Sequence, residues 1–166
     1  MSPTLPPIVV PLLEKVRAQI PVRNVPLDFW QIESGPRILD GFMVLASELM
    51  MSNLSEHEVP HGYVVLAYLF SWEADCQSDG WGAFGNIDPD DFDRVCRYFE
   101  EDVDLASEAI SLRHQMSVYE HDPDNFEALA AASDLYRHPL SGDLDRLEYL
   151  TQYFCDHAAR LLYADA

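Results

Sequence analysis

Hydrophobic positions recur along this chain with the period of an α-helix almost throughout. Val9, Leu12, Leu13, Val16 and Ile20 fall at i, i+3, i+4 and i+7, one stripe of a helix, and Pro21 stops it. Residues 21–35 are irregular, with Phe29, Trp30 and Ile32 expected to tuck onto the core. A second helix is predicted from Pro36, a good first-turn residue, with Ile38, Leu39, Phe42, Leu45, Ala46 and Leu49 inside and Asn53 near its end. A third starts near Pro60 and runs through GYVVLAYLFSWEAD. It is apolar nearly all round, which predicts the central helix. Tyr63, Val64, Val65 and Tyr68 favour β, so a buried strand is the alternative there; length and the helical neighbours argue against it.

Residues 78–86, SDGWGAFGN, carry three glycines and two aromatics and are not expected to form regular helix. The next helix begins sharply, with Asp88 as cap, Pro89 in the first position and Asp91 in the first turn. Phe92, Val95, Cys96 and Phe99 make its stripe. A fifth helix is predicted over residues 102–119, with Leu105, Ala106, Ala109, Ile110 and Met116 inside. Asp122-Pro123 repeats the Asp-Pro start for a sixth, carrying Phe126, Leu129, Ala130 and Tyr136. A long last helix follows Ser141, with Leu144, Leu147, Leu150, Phe154, Ala158, Leu161 and Leu162 as its stripe. The expectation is an all-α fold, one compact domain of about seven helices over residues 1–166, with residues 1–7 a flexible tail.

Charge then narrows the functional classes. The chain has 166 residues, 29 acids and 10 Lys plus Arg, for a net charge of −19. Hydrophobic residues make up 48%, so the chain is expected to fold despite that charge, since disorder needs low hydrophobicity as well. Direct nucleic-acid binding needs clustered cations, and here one lysine, Lys15, accompanies nine scattered arginines. Anionic membrane surfaces are disfavoured for the same reason. The longest apolar run, Val64 to Phe70, is far short of the roughly 18–20 residues of a membrane span. Residues 1–13 lack the positive start and small-residue cleavage site of a signal peptide. Cys76, Cys96 and Cys155 are widely spaced without a CxxC pair, which predicts reduced thiols and a cytoplasmic setting. What the charge favours is a cationic partner, and that partner can be a protein.

Catalytic motifs fare poorly. His57-Glu58-Val59-Pro60-His61 matches H-E-x-x-H, whose histidines must share one helical face while the glutamate activates zinc-bound water. Pro60 sits between them, and a proline inside a helix costs about 3 kcal/mol. Its natural place is the first turn, which leaves His57 outside; Glu73 is the conceivable third ligand. Calcium loops beginning at Asn86 or Asp122 fail, the first at Asp91 and Arg97, the second at Phe126. Nucleophile and phosphate-loop signatures are missing. No cofactor or metal is expected, and a metal-dependent hydrolase on His57, Glu58 and His61 stands as the alternative, beside a structural homo-oligomer.

The distribution of charge is the distinctive feature. Residues 1–83 carry −6 and residues 84–166 carry −13. Eight acids fall between Asp88 and Asp104, against Arg94 and Arg97. Asp90–Arg94 and Asp93–Arg97 are i,i+4 pairs, worth about 0.2–0.5 kcal/mol each. Glu100, Glu101, Asp102 and Asp104 have no such support and cluster at a helix junction. In total, 19 charges match roughly 32 Å of duplex DNA. Asp88, Asp90, Asp91, Glu100, Glu101, Asp102 and Asp104 are therefore the expected charged contact, with Trp81 and Phe84 as exposed aromatic anchors.

Two stretches resemble a bacterial family of small, acidic, mostly helical proteins that includes a DNA-mimic protein. That family carries a helix, an acidic residue and an N-G-G-F-x-x-[FY]-x-N loop. Here LFSWEAD is followed by Asp79-Gly80-Trp81-Gly82-Ala83-Phe84-Gly85-Asn86. Asp79 stands for the asparagine, one glycine is missing or displaced, and Trp81 takes the aromatic place. The C-terminal helix, from Leu144-Asp145-Arg146-Leu147 to Leu162-Tyr163, is similar to the family's closing segment. The resemblance implies a non-enzymatic helical protein that binds other proteins through acidic surface. Together with the charge, it predicts an inhibitor or regulator of a basic protein partner, such as a toxin or a DNA-binding protein. Small acidic immunity proteins that block bacterial toxins follow the same physical logic.

Overall fold

A computed structural model describes residues 4–21, 24–32, 36–136 and 145–164. Its helices are α1 (Val10–Gln19), α2 (Pro36–Met51), α3 (His61–Asp79), α4 (Ala83–Asn86), α5 (Pro89–Arg97), α6 (Ala106–His121), α7 (Phe126–Tyr136), α8 (Asp145–Asp156) and α9 (Ala158–Leu161). Short 3₁₀ turns at Pro7–Val9, Phe29–Gln31 and Gly80–Gly82 and a π turn at Tyr98–Asp102 join them. No strand occurs among the described residues; Thr4 and Ala164 form an isolated antiparallel bridge. The fold is all-α, and the third segment is helix rather than strand.

The chain divides into two compact units, residues 1–71 with 147–166, and residues 72–146. The first unit is held by an aromatic cluster. Phe42 sits 5.1 Å from Phe29, 5.5 Å from Phe70 and 5.9 Å from Phe154, ring centre to ring centre. All four rings are fully buried. The stripes read from the pattern supply the rest: Val9, Leu12, Leu13, Val16 and Ile20 are buried, as are Ile38, Leu45, Ala46 and Leu49. The Tyr63 hydroxyl donates to the Leu162 carbonyl at 2.8 Å. Gly62, beside it, faces the Leu161 backbone so closely that a Cβ would collide with it.

Residues 4–7 are not a loose tail. Pro6 is buried, and the Ala164 N–H donates to the Thr4 carbonyl at 2.8 Å. The last helix is broken at His157, which leaves helical geometry at φ −108° and ψ 13°. Its ring stacks on Tyr153 at 4.1 Å, with Nδ1 lying 3.0 Å from the Tyr153 carbonyl oxygen. Leu144, expected in that stripe, lies outside the described residues.

In the second unit Trp72, Phe84, Phe92, Val95, Cys96, Phe99, Val103, Leu112 and Leu129 are buried. The glycine-rich stretch is more helical than expected: α3 runs on to Asp79, then a 3₁₀ turn and α4 follow. Only Gly80 needs a left-handed backbone, with φ 58°. The fifth helix starts at Ala106 rather than residue 102 because a π turn occupies Tyr98–Asp102. Ala106 and Ile110 face outward, Ile110 with 53% exposure, while Glu108, Ser111, Leu112 and Gln115 face inward. Asp122-Pro123 makes a turn instead of starting a helix. The cap of α7 is Asn125, whose side-chain oxygen accepts the Ala128 N–H at 3.0 Å.

Candidate partner-binding surface

The acidic stretch is built by two local devices in the second unit. At the start of α5 the Asp88 carboxylate accepts the Asp90 N–H at 2.9 Å, Pro89 takes the first helical position, and Asp90 and Asp91 stand in the first turn. Acids there complement the helix dipole and satisfy N–H groups with no intrahelical partner. Phe92, Val95 and Cys96 turn inward, so the acids between them turn to solvent. Asp93 is engaged by two cations: Arg97 at 3.3 Å along the helix and Arg113 of α6 at 2.9 Å. Its hydrogen bond is the main reason the Arg113 guanidinium sits above its ordinary pKa.

The second device is the π turn. Val103 N–H reaches back to the Tyr98 carbonyl at 3.1 Å and Leu105 N–H to the Phe99 carbonyl at 2.7 Å, closing the end of the helix. Asp104 adopts a left-handed backbone, φ 56°, which aspartate tolerates better than most residues. The widened turn swings Phe99 and Val103 inward, both with 0% exposure, and leaves Glu100, Glu101 and Asp104 exposed and Asp102 half-buried. Single π turns recur at functional sites. All seven acids expected to make the charged contact thus reach the surface, Asp91 and Asp102 partly.

The aromatic expectation needs correction. Phe84 is 3% exposed, packed 5.6 Å from Trp72, 5.9 Å from Phe92 and 5.8 Å from Tyr119, and is no exposed anchor. The four-residue α4, following the 3₁₀ turn, buries Ala83 and Phe84. Trp81 is half-buried and stacks on Phe126 at 5.9 Å. Phe126, expected inside α7, is 60% exposed. In this unit Phe126, with half-buried Trp81 stacked on it, brings an aromatic pair to the surface.

The same unit holds a cleft of about 310 Å³, lined by Phe84, Ile87, Pro89 and Phe92 together with Met116, Tyr119, Glu120 and Pro123. Gly85 lets the Tyr119 hydroxyl come close, since a Cβ there would meet it at 2.5 Å. Pattern reading missed this cleft. Its advance signal was the pair of Asp-Pro turns at Asp88-Pro89 and Asp122-Pro123, whose prolines both line it.

The zinc-like match does not assemble. His57 lies in a turn and His61 is the first residue of α3, so the two histidines do not share a helix. The Glu58 carboxylate accepts both the backbone N–H and the hydroxyl of Ser55 at 2.9 Å. Those bonds hold its pKa below the ordinary value, opposite to what a general base near neutrality needs. Among the described residues no three His, Cys, Asp or Glu side chains group to hold a metal ion. Glu73 is instead buried against Arg146, whose Nε is 2.6 Å from its Oε1, and Arg146 Nη1 also pairs with buried Glu108. Matched against family models, curated proteins and solved structures, the chain finds no similar partner in any of the three comparisons.

Proposed function

We propose that the protein is a non-enzymatic acidic binder that inhibits or regulates a basic protein partner, in the manner of a toxin-immunity protein or a DNA mimic. The observation that carries this reading is the surface position of the acids between residues 88 and 104, presented by a capped helix start and a π turn. Residues 72–146 hold 19 acids against 5 Lys plus Arg, a net −14, while the remaining residues hold 10 against 5, a net −5. Fourteen net charges correspond to roughly 24 Å of duplex axis. A basic nucleic-acid-binding surface is the complement of such a field, and long-range attraction would speed its encounter. The resemblance to the DNA-mimic family points the same way.

The test is affinity capture from the native cell, comparing the natural chain with a variant carrying Glu100→Gln, Glu101→Gln and Asp104→Asn. A basic protein should be retained by the natural chain, released at high salt and not retained by the variant. Capture indifferent to both salt and substitution would overturn the reading.

A further inference from the structure

The cleft between α4–α5 and the end of α6 is more than a gap in packing. At about 310 Å³ it reaches the lower end of the range of ligand sites, roughly 300–1,000 Å³. Its floor is aromatic: Phe84 and Phe92 are buried, and the half-buried Tyr119 ring tilts over Phe84 at 5.8 Å. One carboxylate, that of exposed Glu120, lines the cleft; Asp88 stands in sequence between the lining residues Ile87 and Pro89, and Asp122 and Asp124 flank the lining residue Pro123, with the Asp88 and Asp122 carboxylates accepting the Asp90 and Asp124 N–H groups. Each of those three aspartates is exposed.

An apolar aromatic lining with the Glu120 carboxylate beside it, in a net negative unit, suits one side chain above others. A guanidinium is planar, weakly hydrated, stacks on aromatic faces and takes carboxylates in bidentate fashion, while its methylene stem covers apolar surface. A purely apolar group would leave Glu120 unused, and a bare ammonium would need a stronger hydration shell stripped. We infer that this cleft is the seat for an arginine side chain of a basic partner protein. The inference rests on the acidic-binder reading and deepens it by naming the anchor: the acidic arc steers, and the cleft holds.

The experiment uses deca-arginine as probe, with decacitrulline, which is planar but uncharged, and decalysine beside it. Titrations are followed by amide and side-chain NMR shifts on the whole chain. Deca-arginine should shift the Tyr119, Met116 and Phe84 signals saturably, binding about ten-fold more tightly than decalysine, with decacitrulline silent. Tyr119→Ala should remove most of that ten-fold preference, and Tyr119→Phe, which keeps the ring, should retain it. Met116→Trp, which fills the cleft without emptying the core, should act like Tyr119→Ala, and thermal melts would confirm that each variant folds. If deca-arginine bound with salt-sensitive affinity but all three variants matched the natural chain, the cleft assignment would fall and the acidic binder would stand. If deca-arginine did not bind at all, both would fall. Tyr119-dependent dimerisation by light scattering would also overturn the assignment, by making this chain's own arginines the occupants.

Discussion

Arg146 is the residue whose loss should cost most. It is 5% exposed and lies between two carboxylates, Glu73 and Glu108, each with 0% exposure. Removing one partner of a buried ion pair typically costs about 3–5 kcal/mol, because charge is left behind without compensation. Arg146→Met should therefore lower the unfolding free energy obtained from denaturant curves by that much, while joint replacement with Glu73→Met and Glu108→Leu should recover most of it. Recovery would show that the cluster serves the register of helices rather than net stability. Its legibility in the sequence was uneven. Glu73 is the first acid in an otherwise apolar helix, which was the available signal; Glu108 looked like any solvated acid. The thiols give a second expectation. Burial pushes Cys96 up to about 12 and Cys155 up to about 11, from an ordinary value of 9.0, and pushes Cys76 upward too. Burial raises the Tyr63 and Tyr163 hydroxyls in the same direction. For acids with raised folded values, folding favours the protonated form, so that stability is complete below about pH 9 and is lost as pH climbs toward 11–12. Urea midpoints measured across that range should fall, and fall less in Cys96→Ala than in the natural chain; an unchanged slope in the variant would show the thiol is not responsible.

Helices were readable where their chemistry is local and obscure where it is not. The start of α5 is settled by Asp88, Pro89, Asp90 and Asp91, within one turn, and it forms as the pattern predicts. Asp88→Ala should cost about 0.5–2 kcal/mol in a melt, as lost caps do. By contrast the inward face of α6 was misread. Ile110 is outside and Glu108, Ser111 and Gln115 are inside, with Gln115 Nε2 donating to Ser111 Oγ at 2.7 Å. Hydrophobic periodicity finds the buried face of a helix only when that face is apolar, and here a polar layer is held within the helix, Gln115 on Ser111, and by Arg146, distant in sequence, on Glu108. The aromatic anchor was misassigned for a related reason. Phe84 and Phe126 have equal hydrophobicity, and only the short α4 and the Asn125 cap decide which ring faces in. Close backbone approach is equally invisible in a pattern. Gly62→Ala would drive a methyl group into the Leu161 backbone, which has no side-chain rotamer to give way. A loss of about 1–3 kcal/mol is expected, the usual cost of overpacking. Gly82→Ala, where the nearest side-chain atom is 3.6 Å away, should cost far less.

At the scale of the whole molecule the same charge should act on stability and on binding with opposite signs. Residues 72–146 carry net −14, and within the acidic stretch of 88–104 Asp93 pairs with two cations, Arg97 and Arg113. Like charges held close together raise the free energy of the folded chain, and the unfolded chain relieves that by spreading out. Salt screens the repulsion over a Debye length of about 10 Å at 0.1 M. Raising sodium chloride should therefore raise the melting temperature, and each 1 kcal/mol relieved corresponds to about 2–4 °C for a chain of this size. The same screening should weaken capture of a basic partner, because the attraction runs through the same field. Neutralising Glu100, Glu101 and Asp104 should mimic salt on both counts, giving a variant that melts higher at low ionic strength and binds less. A merely solvating acidic surface predicts the first effect without the second. Melting curves and partner capture on one variant at two salt concentrations thus separate a surface kept acidic for solubility from one kept acidic, at a cost in stability, for recognition.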